Sequence, residues 1–263
     1  MVSTLAEELE QVPANRAAAL RVVQMVDDPR VGSADVAASV SLDPALTARV
    51  LQVANSAYYG MSGRIRTTAF GVTVLGFQTV RSLAAIAAAG ISGNDALPKG
   101  FWTRCAAAAS GGSVLAARAG ASAPDAFCVG MLHDLGTVLL WKRDPAAYDS
   151  LPAPTPAHTL VSIEQAFYGV DHAALCAKVL SAWCVPEDIC AAIAHHHEVP
   201  SDTAPPLRKA LQAGIALGRL ALGDRDPIHR SALHVIGVTD RELPDLVAQV
   251  EEATRQLAAV LAS

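Results

Sequence analysis

The sequence predicts an all-α protein, and three observations support that prediction. Hydrophobic residues make up 52% of the 263 residues, against 17% charged and 5% aromatic residues, and the apolar content is rich in alanine, a helix former that lets helices approach closely. Apolar residues recur at spacings of three and four, as on one face of a helix. Strand-like alternation is missing from the sequence, and no repeat has a clear period. A chain of this length can bury a substantial core.

The first third of the chain is predicted to form short helices. Thr4 with Glu7 makes a capping box for a first helix, which Pro13 ends. Each of the next five predicted helices combines an apolar stripe with a capping residue, a glycine or a proline. They run from Asn15 to about Val26, from a cap at Ser33 to Val40, from a cap at Asp43 through Pro44 to about Ser56, from a cap at Thr68 to Gly76, and from Gln78 to Ala89.

The segment from Gly90 to Gly100 is predicted to be a loop between two helical subdomains that pack on each other. Beyond it, apolar stripes predict further helices, and Pro152, Pro154 and Pro156 predict a stiff, extended loop. These helices cover Phe101 to Ala119, about Pro124 through Gly136 with apolar residues to Trp141, Leu160 to Tyr168, Asp171 through Trp183, Pro186 through His197, Leu207 to Leu222 and Pro244 to Leu261. The predicted division is an N-terminal subdomain at 1–95, a second helical subdomain at 96–222 and a C-terminal helical cap at 223–263.

Charge and cysteine content limit the classes of partner. The net charge of −5 and the pI near 5.9 argue against a nucleic-acid surface, which is usually basic. The five cysteines lack Cys-x-x-Cys spacing and are predicted to be reduced core residues of a cytosolic protein. The N-terminus lacks the pattern of a signal peptide, and the apolar run Leu83 to Ile91 is too short to span a bilayer. We therefore expect a cytoplasmic protein with no membrane partner.

The stretch from Phe127 to Gly136 places an adjacent His133 and Asp134 in an apolar context. Phe127, Met131 and Leu135 recur every four residues, which predicts one helix that carries the pair into or beside the core. A buried unpaired charge costs several kcal/mol, so the pair must be hydrogen-bonded, ion-paired or bound to metal. Two interpretations follow: ligation of a divalent metal, or hydrogen bonds that join this helix to its neighbours.

Three more histidines are candidates for the same metal site or hydrogen-bonded group. His172, His196 and His197 each follow apolar helical residues, and nitrogen ligands together with a carboxylate suit iron, manganese or zinc. The run His195-His196-His197 could equally be a loop with its rings in solvent. A binuclear hydrolytic site needs more ligands than His133, Asp134 and these histidines.

The chain resembles an HDOD domain over roughly residues 10 to 220. In the first half the resemblance rests on the runs Asp43 to Leu51 and Ala54 to Gly60, on Ile65 and on Leu75-Gly76. In the second half it rests on Phe101-Trp102, Gly130 to Gly136, His172, Trp183 with Pro186, and His196-His197. The resemblance implies an all-helical bacterial regulatory module whose second subdomain is an HD-like bundle. Such modules are related to HD-type metal-dependent phosphohydrolases but generally lack their full ligand set.

Two departures from the catalytic pattern stand out. Arg104 holds the place of a histidine ligand that is expected shortly after Trp102, and Ala213-Gly214 replaces the Ala-Asp pair of the last ligand segment. Neither an arginine cation nor a glycine can coordinate a metal, so these losses should abolish a binuclear centre. The retained group is then predicted to be a buried polar network, with residual mononuclear metal binding as the alternative, and no cofactor is expected. Its members are His133, Asp134, His172, His196 and His197.

Three functions follow from the resemblance and these departures. The first is a non-catalytic signalling module that binds a regulatory or signalling protein, with a contact surface at Asn55, Tyr58, Tyr59, Arg64 and Arg66, because aromatics and arginine are favoured in interfaces. The two tyrosines could instead be helix-end packing. The second is a metal-dependent phosphohydrolase of a nucleotide or cyclic dinucleotide. The third is a nucleotide sensor without turnover, in which Arg104 grips a phosphate.

Overall fold

The structure is a computed structural model that describes residues 16–91, 96–150, 157–226 and 229–262. All regular elements in these ranges are helical, so the all-α prediction is confirmed. They are α1 Ala17–Met25, α2 Ser33–Val40, α3 Pro44–Ala54, a 3-10 turn Ala57–Tyr59, α4 Thr68–Leu75, α5 Phe77–Ala88, α6 Phe101–Ala119, α7 Ala123–Leu132, α8 Leu135–Arg143, α9 Pro145–Asp149, α10 Ala157–Tyr168, α11 His172–Ala182, α12 Glu187–Ala194, α13 Pro206–Ala221, α14 His229–Val235 and α15 Leu243–Leu261. The predicted helix after Thr4 and the proline-rich loop at 152–156 lie outside the described residues.

Local capping by side chains explains several of the helix starts, at Asp43, Thr67, Ser122, Asp144 and Asp171. Asp43 caps α3 as predicted, since its Oδ1 accepts from the backbone N–H groups of Ala45 at 2.9 Å and Leu46 at 3.1 Å. Two predicted caps are wrong by one residue: Gly32 precedes α2, and Thr67 caps α4. The predictions also missed the short helices α9 and α14, which lack long apolar stripes.

The stretch around His133 and Asp134 is not the single helix that its four-residue spacing predicts. Helix α7 ends at Leu132 and α8 begins at Leu135, and the His-Asp pair forms the break between them. Asp134 has φ −98° and ψ 6°, outside the helical range. Its carboxylate accepts from Thr137 Oγ1 at 2.6 Å, which holds the break in place. Apolar residues continue across the break because every residue of 126–132 and of 135–140 is buried.

Helix α6 lies at the centre of the second half and packs against α7, α13 and α15. The α6–α13 contact is very close: a Cβ on Gly111 would lie 2.6 Å from Gly214 O, and a Cβ on Gly214 would lie 2.5 Å from Gly112 N. A continuous hydrophobic cluster includes buried side chains from Ala19 to Leu261 and so crosses the predicted boundary at residue 95. The subdomain limits remain predictions.

Four of the five cysteines are buried and free, as predicted; they are Cys105, Cys128, Cys176 and Cys190. Cys184 is exposed and has φ 60°. No single helix in the described ranges has both the length and the apolar character to cross a membrane. Only α4 and α5 taken together do, and they are bent by 111° where they meet.

Candidate functional site

The two residues of the His-Asp break point into a buried cluster. His133 is 7% exposed, and its Nδ1 lies 2.8 Å from Gly130 O. A carbonyl oxygen only accepts, so Nδ1 carries the proton and Nε2 keeps a lone pair. Burial lowers the pKa of His133 and outweighs the opposing charge of Asp134. His133 is therefore held as a neutral imidazole.

Asp134 is bound on both carboxylate oxygens. Arg104 approaches Oδ2 with Nε at 2.8 Å and Nη2 at 2.7 Å, and Thr137 donates to Oδ1. Burial alone would raise the pKa of Asp134, but the charge of Arg104, together with that of His172 and the hydrogen bond from Thr137, outweighs burial and holds the pKa well below its ordinary value. Arg104 is fixed in turn, since its Nη1 donates to Lys99 O at 2.7 Å. A guanidinium therefore already neutralises the carboxylate.

His172 is held by a buried carboxylate that the sequence reasoning missed. Glu164 is fully buried, and its Oε2 accepts from the backbone N–H of His172 at 2.9 Å and from its Nδ1 at 2.6 Å. Tyr148 donates its hydroxyl to Glu164 Oε1. Burial alone would lower the pKa of His172, but the hydrogen bond and charge of Glu164 outweigh it and raise that pKa. The only sequence signal for this role is a glutamate within the apolar pattern of α10.

The remaining two histidines complete the cluster after α12. His196 is buried, and its Nδ1 lies 2.6 Å from Ile193 O, so its Nε2 also keeps a lone pair. His197 Nε2 lies 2.8 Å from His172 Nε2, so one proton must lie between them. Burial and the charge of His172 lower the pKa of His197 to about 3, which favours His172 as the donor. The alternative of a loop with its rings in solvent applies only to His195, which is exposed.

The structure brings all five predicted site residues together. The ring centroids of His196 lie 5.5 Å from His133, 5.6 Å from His172 and 3.8 Å from His197. One nitrogen from each of His172, His196 and His197 lies within 4.8 Å of the others, a spacing that could hold one metal ion. Asp134 is not free to bridge a second ion, because Arg104 and Thr137 occupy its oxygens. Among the residues that the structure describes, these histidine donors group around the position of one ion.

Gly214, the predicted departure from the last ligand segment, lies in the α6–α13 contact. A Cβ there would meet the backbone of Ala108 and Gly112 at 2.7 Å or less, so the contact leaves no room for a carboxylate side chain. Gln212, two residues earlier, donates to Glu198 O at 2.7 Å and to His196 O at 3.3 Å. The α13 segment thus supports the turn that carries His196 and His197.

The cluster predicts a loss of stability on acidification. Burial lowers the pKa of His133, His196 and His197, so below pH 6.5 the unfolded chain binds more protons than the folded one and stability falls. From His197 alone, about 2 kcal/mol should be lost at pH 5. His172 acts oppositely: its raised pKa gives stability that is complete below 6.5 and lost as the pH rises through its folded value.

Urea unfolding at pH 7.5 and pH 5, in the presence of a chelator, measures this dependence. The variant His197→Gln should lose part of the difference, since it has no imidazole to protonate. An equal free energy of unfolding at the two pH values would contradict the burial of neutral histidines.

The predicted partner surface divides into two parts. Asn55 is an internal clamp: its Oδ1 accepts from Ile65 N–H at 2.9 Å and its Nδ2 donates to Ile65 O at 2.8 Å. Tyr58 packs on Tyr59 and on Phe127, with ring centroids 5.0 and 6.0 Å apart, and burial raises the pKa of Tyr59 to about 12. These contacts favour the helix-end packing interpretation for the tyrosines. Arg64 and Arg66 are exposed on either side of Ile65.

Comparison with known proteins identifies a matching family and similar folds. The HDOD domain family model matches residues 12–199. The fold is similar to that of a candidate phosphohydrolase from Shewanella amazonensis, at 23% identity and a TM-score of 0.75 over 99% of this chain and 98% of the other. It is also similar to a candidate signal transduction protein from Marinobacter aquaeolei, at 20% identity and a TM-score of 0.73 over 98% of this chain and 61% of the other.

A sequence relative comes from Treponema pallidum. An uncharacterised protein of that organism is 26% identical over 231 residues, which are 84% of this chain and 44% of the relative. The chain thus spans less than half the length of that relative.

Proposed function

This chain belongs to the HDOD domain family, and on that premise we propose that it is a signalling module without hydrolytic activity that acts by binding a regulatory protein. The observation that supports this is the Arg104–Asp134 pair, with nitrogen–oxygen distances of 2.8 and 2.7 Å. In a two-metal site a carboxylate of this kind would lie between the ions. Here its charge is compensated by a side chain that cannot leave the protein.

A second pair of charges supports the same proposal. Glu164 and His172 form a buried ion pair, and Glu164 raises the pKa of His172. The charges of the cluster are therefore neutralised by its own side chains. A buried charge that is paired and hydrogen-bonded is stable without a ligand. The cluster then serves to hold α7, α8, α10, α11 and the turn after α12 together.

A turnover assay tests the absence of hydrolysis. Purified protein with added manganese or iron should not cleave phosphodiester or phosphomonoester substrates above the buffer rate. Turnover that disappears in the variant Asp134→Asn would contradict the proposal, because it would assign the carboxylate a catalytic role.

Partner binding is expected at the exposed arginines. Arg64 and Arg66 have no carboxylate partner among the residues that the structure describes, and arginine is favoured at the centre of interfaces. The double variant Arg64→Ala with Arg66→Ala should keep the fold and lose most partner capture in a pull-down from the native host. The double variant Arg225→Ala with Arg241→Ala removes the same charge from two other exposed sites and should capture the partner normally. If the variant Arg64→Ala with Arg66→Ala still captures the partner, these arginines are not the partner-binding surface.

A second candidate function is a metal-assisted phosphohydrolase or a metal-bound sensor, and the grouping of His172, His196 and His197 favours it. Three imidazoles would hold one zinc, iron or manganese ion, which could polarise a phosphoryl oxygen. Calorimetric titration of the chelator-treated protein with zinc, beside the variant His172→Ala, measures that binding without an activity readout. For the nucleotide-sensor alternative, Arg104 offers few free donors, since Asp134 and Lys99 O already accept from it.

A further inference from the structure

A groove lies at the C-terminal end of α6, and its wall includes His195, which directly precedes the cluster member His196 in the chain. It has a volume of about 360 Å³ and forms between the end of α6, the start of α7, one side of α12 and the start of α13. Along α6 the groove begins at Gly120, sixteen residues and therefore about 24 Å from Arg104. Ligand sites typically measure about 300–1,000 Å³, so this groove could hold two or three side chains.

The wall that α12 supplies is one face of that helix. Asp188, Ala191, Ala192 and His195 line the groove, and they follow the i, i+3, i+4, i+7 spacing of a helical face. The opposite face of α12 carries Ile189 and Ile193 into the core. Alanine side chains on this face leave space where larger residues would fill it. The facing wall is stiff, because Pro205 and Pro206 form it.

The basic side chains that line the groove have an acidic partner, whereas among the described residues its two carboxylates have no cationic one. The two cationic or basic side chains, Arg208 and His195, both contact Glu198, at 2.5 Å through Nη1 and 2.7 Å through Nδ1. The two carboxylates, Asp125 and Asp188, have no cationic partner in the described ranges; Asp125 accepts from the Ser122 hydroxyl and Asp188 from the N–H of Ile189. Both carboxylates lie in the first turn of a helix, which offsets part of their charge but supplies no cation.

We propose that this groove docks a short segment of a partner protein in which a lysine or arginine is flanked by apolar side chains. The apolar walls would receive the flanking side chains, and Asp125 and Asp188 would receive the cation. The proposal rests on the proposed function, since it names the partner chemistry of a protein-binding module. It adds a second contact surface, distinct from the one at Arg64 and Arg66.

A fluorescently labelled peptide of alternating leucine and lysine, blocked at both ends, is a suitable probe for anisotropy titration of the full chain. The double variant Asp125→Asn with Asp188→Asn should weaken binding by about tenfold, because two ion pairs are lost. The variant Ala191→Trp fills the groove from an exposed position at unchanged net charge and should weaken binding similarly. The double variant Asp245→Asn with Glu251→Gln removes the same charge from α15 and should bind the peptide as the parent chain does.

Several results would overturn the proposal. Normal binding by Ala191→Trp would place the peptide elsewhere, and equal weakening in the α15 variant would show unspecific attraction to an acidic protein. Equal affinity for a leucine–glutamate peptide would show that Asp125 and Asp188 do not select a cation. If hexylamine binds as tightly as the peptide, the groove is a small-amine site and not a docking site. Hydrolytic turnover, by contrast, would contradict the proposed function whatever the peptide does.

Discussion

Replacing Glu164 by alanine should lower the free energy of unfolding by about 3–5 kcal/mol, the usual cost of breaking a buried charge pair. Glu164 is fully buried and accepts three hydrogen bonds, from the Tyr148 hydroxyl and from two nitrogens of His172. Without it, the His172 ring and backbone N–H and the Tyr148 hydroxyl lose their acceptor inside the protein. Urea unfolding at pH 7 measures the loss.

Two companion variants separate this network from a general effect of losing a glutamate. Glu164→Gln keeps an oxygen for His172 and should cost clearly less than the alanine variant. Glu187→Ala removes an exposed glutamate at the start of α12 and should change stability by less than about 1 kcal/mol. If Glu164→Ala unfolds as the parent chain does, the carboxylate does not hold the cluster together.

Replacing Gly136 by alanine should destabilise the protein by about 3 kcal/mol or more. A Cβ at this position would lie 1.9 Å from His172 O and 2.8 Å from its carbonyl carbon, and these are backbone atoms that cannot rotate away. Overpacking normally costs about 1–3 kcal/mol, and a clash with backbone belongs at the upper end of that range or beyond it. The start of α8 would have to move away from the start of α11, which would separate Asp134 from His172.

Gly71 provides the matched control, since it is also a glycine within a helix. A Cβ there would meet a side-chain atom and not backbone, Val50 Cγ1, at 3.2 Å, a contact that a shift of a few tenths of an ångström relieves. Alanine favours helix over glycine by about 0.5–1 kcal/mol, so Gly71→Ala should be close to neutral. Thermal unfolding of both variants makes the comparison, and similar midpoints would show that the contact between Gly136 and His172 is not restrictive.

Sequence reasoning succeeded where the controlling interactions are local. Asp43 followed by Pro44 identified the start of α3, and Gly76 identified the end of α4, because caps and helix stops depend on neighbouring residues. Residue type and apolar context had already named the members of the histidine cluster, and the family resemblance supported grouping them although they lie far apart in sequence. Periodicity alone placed each of them only near a helix end.

The missed features depend on contacts between distant elements. Glu164 binds His172 across the turn between α10 and α11, and apolar periodicity says nothing about such a pair. The break at His133 and Asp134 was hidden because the residues on either side of it, 126–132 and 135–140, are all buried. For Tyr58 and Tyr59 the sequence left a contact surface and helix-end packing open, and the packing of Tyr58 on Tyr59 and Phe127 favours the second.

We infer that Arg104 has taken the place of metal at Asp134. A count of transition-metal ions per chain in the purified protein, by mass spectrometry after incubation with manganese, iron or zinc, tests it most directly. The arrangement predicts at most one ion per chain, and the same number in the variant Asp134→Asn. Two ions per chain in the parent protein, with one or both lost in Asp134→Asn, would contradict the claim.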